Sequence, residues 1–326
     1  MTAPAKPLSI LLAGEEAAGL QLLQALAKTG HRIVGVLASP DGTPSGGPGV
    51  WQAAQRLGLA TWPADFVRRP EFAEAIRAAG VDLLLNAHSL HIICPEVLDA
   101  PRLGAFNLHP GPLPRYAGLN APSWAIVNGE TEHAVTVHRM VPRVDAGPVA
   151  YTHRFPIAPG DSALNLYVKC TRYGVPLMLR VAETLATDPA SLPAVPPGDA
   201  GRRVYGRRPP DDGWVDWSGP AARIAALVRA CDFGPFPSPW GTARASLASR
   251  VLALIRVRTT GRPAGAPPGS VVWVDGSGAR VACGDEELLI EKLSVDGRRM
   301  AAADRLAPGD LLSGKPADLT LPSQAA

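Results

Sequence analysis

Long apolar runs are missing from this chain. No stretch approaches the roughly 20 consecutive apolar residues a membrane helix needs, so a spanning protein is not expected. The opening MTAPAKPLSILLAG carries one lysine and an apolar run of about six residues, then passes into a helical pattern, which predicts no signal peptide. Cysteine is scarce: Cys94, Cys170, Cys231 and Cys283 lie far apart with no CxxC. That spacing suits reduced thiols in a cytoplasmic protein better than a disulfide framework or a zinc site. Excess charge is missing too, because a net +3 gives no electrostatic case for a nucleic-acid partner by itself.

Several catalytic signatures are absent as well. Gly14-Glu15-Glu16-Ala17-Ala18-Gly19 follows an apolar run, where phosphate loops occur, but Leu20-Gln21 stands where a P-loop needs Lys-Ser/Thr. The GxGxxG spacing is missing, so an ordinary tight turn from strand to helix is expected. His88 and His91 are three apart without HExxH or a second ligand cluster; loop histidines, solvated or hydrogen-bonded, are expected rather than a metal site. No GxSxG elbow supports a serine hydrolase.

What is present begins with length. With 326 residues, 46% hydrophobic and 19% charged, the chain suits a globular enzyme of two domains. Apolar runs at Leu8–Ala13, Ile33–Ala38, Val81–Asn86 and Ala105–His109 read as buried strands, with a short one near Thr61. Helical spacing falls between them, up to Gly30 as a cap, over 50–57 and over 70–79. That alternation predicts a doubly wound, Rossmann-like parallel sheet. A helix ending near Asn128-Gly129 and strands over 135–140 and 149–155 follow. Asp161 is placed to cap a long helix over 162–187.

Pro189, Pro193, Pro196 and Pro197 then mark a linker. Beyond it, a helix over 221–231 and short runs at 251–257, 270–274, 278–283 and 288–293 predict a small β-barrel-like, OB-like domain. The expected division is a catalytic domain over 1–187, a linker over 188–203, a second domain over 204–313 and a flexible tail over 314–326.

The stretch FNLHPGPLPRYAGLNAPSWAIVNGETEHAVTVHRMVPRVDAG, residues 106–147, carries the chemistry. Asn107 and His109 are two apart at a strand end, so their side chains leave on one side, at the sheet edge where ligands bind in open α/β folds. Asp145 sits in the loop after the strand bearing Thr136 and His138. An amide can donate to an oxyanion, a histidine can do the same or move a proton, and a carboxylate can orient the histidine and take a proton from an amine. An Asn, a His and an Asp within forty residues are also common in structural roles.

Asn-x-His followed by Pro-x-x-Leu-Pro-x-x-x-Gly, then Trp-Ala-Ile, Asn-Gly-Glu, Thr-x-His-Arg-Met and Asp-Ala-Gly, resembles the formyltransferase family. The family includes methionyl-tRNA, glycinamide ribonucleotide and sugar N-formyltransferases. Residues 120–147 are especially similar to the formyltransferase acting on UDP-4-amino-4-deoxy-L-arabinose. The likeness continues through Tyr205-Gly206-Arg207-Arg208-Pro209-Pro210-Asp211-Asp212 and Asp216-Trp217, which open that family's C-terminal domain.

The resemblance implies Asn107, His109 and Asp145 as the catalytic trio and 10-formyltetrahydrofolate as co-substrate, with no metal. It implies a folate site along Ser89, Leu90, His91, Ile92 and Ile93 and along the loop holding Val141 and Val144. One departure stands out: many relatives have Ser-Leu-Leu-Pro where this chain has Gly111-Pro112-Leu113-Pro114, and a proline removes a backbone donor.

The acceptor expected is a primary amine of a small molecule: an amino-sugar nucleotide, an ornithine-like amine of siderophore synthesis, or another specialised metabolite. Tyr116, Asn120 and Arg143 are acceptor-contact candidates by proximity. A tRNA acceptor is the alternative, disfavoured because residues 39–55 contain no Lys or Arg where the tRNA enzymes carry a basic insertion. A catalytically silent folate-binding homologue is the second alternative. No signal for an oligomeric state is read.

Overall fold

The computed structural model describes residues 6–41, 49–89, 91–248 and 250–316. By internal contacts the chain divides into two compact units: residues 1–122, 131–157 and 165–205 in one, and 123–130, 158–164 and 206–326 in the other.

The first unit runs β1 (Ser9–Gly14), α1 (Glu16–Leu26), β2 (Arg32–Ala38), α2 (Val50–Arg56), β3 (Thr61–Pro63), α3 (Phe72–Ala78), β4 (Leu83–Ala87), α4 (Pro95–Leu98) and β5 (Gly104–His109). It continues through β6 (Ala117–Gly118), α5 (Ala121–Val127), β7 (Glu132–Arg139), β8 (Val149–Pro156), α6 (Ala163–Thr187) and β9 (Val204–Tyr205), with α5 and the start of α6 shared with the second unit. Its main sheet has the order β3-β2-β1-β4-β5-β7-β8. The five strands from β3 to β5 are parallel, as the apolar runs predict. β7 and β8 add antiparallel to β5 and to each other. The sheet is therefore mixed rather than wholly parallel, and the alternating patterns over 135–140 and 149–155 are this hairpin edge.

Burial explains the apolar runs. Leu11, Leu84 and Ala105 face one side and pack with Phe72, Ile76 and Val97 from α3 and α4. Leu108 and Val135 face the other side and meet α6 so closely that a Cβ on Gly174 would lie 2.4 Å from a Leu108 methyl. Strands buried on both faces have no polar side to show, which removes the alternation seen in half-exposed strands. The order reverses between β1 and β4, and outside the carboxyl ends of strands at such a point α/β folds bind ligands.

Gly30 does not cap α1: the helix ends at Ala27, in ordinary right-handed geometry, and the cap bonds are made by Ala27 N–H. Gly80, by contrast, takes φ +63° after α3 and its N–H bonds back to Arg77, the turn that favours glycine. The proline-rich stretch expected as a linker makes ordered contacts. Val195 bridges Val149, and just past the stretch β9 pairs in parallel with β6.

The second unit holds α7 (Ala221–Ala230), β10 (Ala243–Leu247), β11 (Arg250–Pro263), β12 (Val271–Asp275), β13 (Gly278–Ala282), β14 (Glu286–Val295), β15 (Arg298–Ala301) and β16 (Leu312–Ser313). The order is β12-β13-β14-β11-β10-β16, with β15 on β14, all antiparallel and curled as a half barrel. Three register irregularities between β11 and β14 supply local twist that suits this curl. β10, β15 and β16 are additions to the sequence expectation. Among the described residues no helix is long and apolar enough to cross a membrane. Residues 317–326, most of the expected tail, lie outside the described residues.

Candidate active site

The carboxyl ends of β4 and β5 and the adjoining part of β7 gather one polar row. Asn86 on β4 pairs in register with Asn107 on β5, which pairs in turn with His138 on β7. Residues opposite one another on neighbouring strands project to the same face, so the three side chains line up across the sheet. Asn86 Nδ2 donates to Asn107 Oδ1 at 2.8 Å. Asn107 Nδ2 lies 3.3 Å from His138 Nε2, and His138 Nδ1 is 2.9 Å from the Arg139 carbonyl.

His109, at the end of β5, is 2% exposed. Its Nε2 is 2.6 Å from the Tyr116 carbonyl, and its Nδ1 is 3.5 Å from Asp145 Oδ2. Asp145 Oδ1 lies 3.3 Å from His138 Nε2, and Oδ2 accepts the Gly118 N–H at 2.8 Å. One carboxylate thus stands between two imidazoles. Asp145 has φ +49°, a left-handed conformation that Asp tolerates better than most residues. Arg202 holds that conformation by donating to the carbonyls of Asp145 at 3.0 Å and Val144 at 2.7 Å.

The electrostatics follow from burial and pairing. Burial alone would raise the Asp145 carboxyl, but His109, the hydrogen bond and charge of His138 and the Gly118 N–H overcome it, holding the group well below the usual carboxylate range. Burial lowers His109 below an ordinary imidazole; Asp145 opposes that, while the charges of His138 and Arg202 add to it. A carbonyl can only accept, so Nε2 of His109 carries its proton and Nδ1 is the open basic position facing Asp145.

Gly111 explains the Gly-Pro departure. A Cβ there would lie 2.8 Å from that of Ala121 and 3.0 Å from His109 Nε2, so only glycine lets the loop close over the imidazole. Thr136 Oγ1 donates to the Gly111 carbonyl at 2.8 Å and secures the loop.

The other predicted residues fall into separate groups. Ile92 is 75% exposed and Val144 44%, two large apolar side chains left at the surface of the loops after β4 and before Asp145. Val141 is half-buried and Ile93 is part of the hydrophobic core, so any ligand contact by Ile93 is through its backbone. Ser89 Oγ accepts from the His91 N–H at 3.5 Å, a weak bond, and Leu90 lies outside the described residues. The Tyr116 ring is buried and stacked on Tyr205 with centroids 5.0 Å apart, so it is its carbonyl that faces the cluster. Asn120 takes φ +56° before α5, and Arg143 is exposed and paired with Asp199 at 3.1 Å.

The turn after β1 needs its glycines for close packing, since a Cβ on Gly19 would come 2.7 Å from Gly14. Glu15 is 1% exposed and accepts both the N–H and the hydroxyl of Ser39 at 2.7 Å. Two carboxylates, Glu15 and Glu16, therefore occupy the start of α1, which disfavours an anion there. His88 is not a solvated loop residue: it is mostly covered, edge-on against Tyr167 with centroids 5.9 Å apart, and loss of solvent, then the charge of His109, lowers it to about 4. Among the described residues no group of three or more His, Cys, Asp or Glu is placed to hold a metal ion.

A profile of the family described as formyl transferase matches residues 9–182, and one described as formyl transferase, C-terminal domain, matches residues 208–310. Solved structures share the fold. An N-formyltransferase from Helicobacter canadensis, in complex with folinic acid and dTDP-3-aminofucose, is 16% identical, with a TM-score of 0.66 over 87% of this chain and 98% of that one. WlaRD, a sugar 3N-formyl transferase in the presence of dTDP and 5-N-formyl-THF, is 17% identical, with a TM-score of 0.65 over 89% and 98%. HypX from Aquifex aeolicus, in complex with tetrahydrofolic acid, is 19% identical, with a TM-score of 0.62 over 91% of this chain and 46% of that one. The protein is an enzyme of the group-transfer class. Within that class, the chain belongs to the formyl transferase family.

Proposed function

We propose that the protein moves a formyl group from 10-formyltetrahydrofolate to a primary amine of a small molecule. The observation that carries this is the Asp145 carboxylate held between His109 and His138, beside the Asn107 amide. The residues present fit a folate: apolar Ile92 and Val144 stand exposed on two loops, suiting a flat ring system, and an amide, an imidazole and a carboxylate supply the polar edge. Structures of similar fold were solved with folinic acid, 5-N-formyl-THF or tetrahydrofolic acid, which supports the same reading.

When bound, 10-formyltetrahydrofolate supplies an activated formyl carbon; the transfer forms a bond from the amine nitrogen to it, breaks its bond to folate N10 and returns one proton to N10. Asn107 donates its amide N–H to the oxygen on which negative charge gathers, as oxyanion-hole donors do. Asp145 stays ionised and stabilises the positive charge growing on the attacking nitrogen. His109, whose burial disfavours the charged form, takes the amine's proton at Nδ1, where the Asp145 carboxylate then holds the imidazolium.

A small acceptor fits better than a tRNA. Residues 39–55 carry no Lys or Arg, and Glu16 is exposed at the start of α1. An amino-sugar nucleotide is the first acceptor to try, because two structures of similar fold carry a dTDP-sugar or dTDP. An ornithine-like amine is the second. Tetrahydrofolate release that depends on added amine would support the reading. A protein that neither binds 10-formyltetrahydrofolate nor consumes it would overturn it.

A further inference from the structure

We propose that Asn86 is a positioning residue that fixes which end of the Asn107 carboxamide is presented to the formyl group. The inference rests on the formyl-transfer reading above, in which Asn107 must offer its N–H rather than its oxygen.

A carboxamide has two ends of nearly equal shape and opposite polarity, and turning it by 180° replaces a donor with an acceptor. Its orientation is therefore set by its partners. His138 does not set it: Nδ1 faces the Arg139 carbonyl at 2.9 Å and Nε2 faces the Asp145 carboxylate at 3.3 Å, and both of these groups only accept. Asn86 supplies the fixed direction, since its Nδ2 donates to Asn107 Oδ1 at 2.8 Å and leaves the Asn107 nitrogen on the side of His138. The register of β4 on β5 places the two amides opposite one another.

His138 cannot hold Asn107 this way round. An Nε2–H directed at Asp145 is a donor, and it would draw the Asn107 oxygen towards itself. That turn would aim the wrong end of the amide at the oxygen of the formyl group. Asn86, already bonded to that oxygen, opposes it. The far end of Asn86 gives a second indication. Its Oδ1 is buried and finds no hydrogen-bond partner among the described residues. An unpaired buried carbonyl is destabilising, and a leucine, as on β4 at 83, 84 and 85, would fill this strand position without that cost. A residue placed only for packing has no reason to be an amide here.

The test is single-turnover formyl transfer by the full chain carrying Asn86→Leu, Asn107→Ala or both, with Asn86→Ala as a smaller replacement should the leucine variant fail to fold. Asn86→Leu is expected to slow transfer about tenfold, a part of the loss for an oxyanion donor, with folate KM within about twofold and no fall in melting temperature. In the Asn107→Ala background the same change is expected to alter the rate less than about twofold, because there is no amide left to orient. A single variant within twofold of wild type, or a loss that persists in full without Asn107, would overturn the proposal. The geometry is also tested without activity. A crystal structure at about 1.2 Å or better distinguishes amide nitrogen from oxygen, and should show Asn86 nitrogen against Asn107 oxygen. The reverse arrangement would overturn the inference even if formyl transfer were confirmed, and the predicted arrangement in a protein that transfers nothing would overturn only the reading of function.

Discussion

Arg202 donates to the backbone carbonyl of Asp145 at 3.0 Å across 57 residues of sequence, joining the proline-rich stretch to the loop that bears the buried carboxylate. A second N–H on the neighbouring Val144 carbonyl makes this a two-point clamp on a residue at φ +49°. Burial is the main cause of the lowered His109 pKa, and the Arg202 charge adds a minor part in the same direction. Arg202→Met should therefore reduce kcat about tenfold and move the acid limb of the kcat profile to higher pH, since His109 would protonate more readily without the nearby cation. An unchanged profile with a changed kcat would restrict Arg202 to holding the loop.

Asn107→Ala should lower kcat by about 10²–10³ with the fold retained, as loss of one oxyanion donor does. Asp145→Asn keeps shape and tolerates the left-handed backbone but loses the charge between the imidazoles. It should cost about 10²–10⁴ in kcat. Circular dichroism and thermal melts separate these effects from unfolding, and near-normal turnover in either variant removes that residue from the mechanism.

Gly111→Ala tests the closure over His109. The new methyl would press on Ala121 and on the imidazole, so a stability loss of about 1–3 kcal/mol is expected. A fall in kcat should accompany it, because the imidazole must shift. Full activity would mean that the loop can move away without disturbing His109.

His88 predicts a pH dependence of stability. Its pKa is lowered to about 4 in the folded chain, against about 6.5 when unfolded. Between those values the unfolded chain holds the extra proton, so stability falls as pH drops through this window. The contribution is roughly 2 kcal/mol between pH 7 and pH 5. Asn tolerates the φ of +60° at this position, and His88→Asn should flatten that slope in denaturant titrations. Parallel slopes for the two proteins would contradict the assignment.

The strands β1, β2, β4 and β5 were legible because burial on both faces leaves runs of apolar residues. Asn107 and His109 were legible as a pair because a strand repeats every two residues. Asn86 could not be found that way: its contact with Asn107 depends on β4 lying beside β5, which is a matter of strand order. His138 was visible on its strand, but its place beside Asp145 requires the antiparallel addition of β7. Arg202 was hidden because a proline-rich stretch reads as a spacer. The Asp145 turn shows why loops resist such reading: its geometry is set by Arg202 and Gly118, which are remote in sequence.

The most direct test of formyl transfer by this cluster uses 10-formyltetrahydrofolate labelled with ¹³C in the formyl group. It would be offered with a 4-amino-sugar nucleotide, N-hydroxyornithine, ornithine or methionyl-tRNA, and products would be followed by mass. The account predicts a gain of one labelled formyl group on a small primary amine, lost with Asp145→Asn. Label transferred to the tRNA, or released only as formate whichever amine is present, would contradict it.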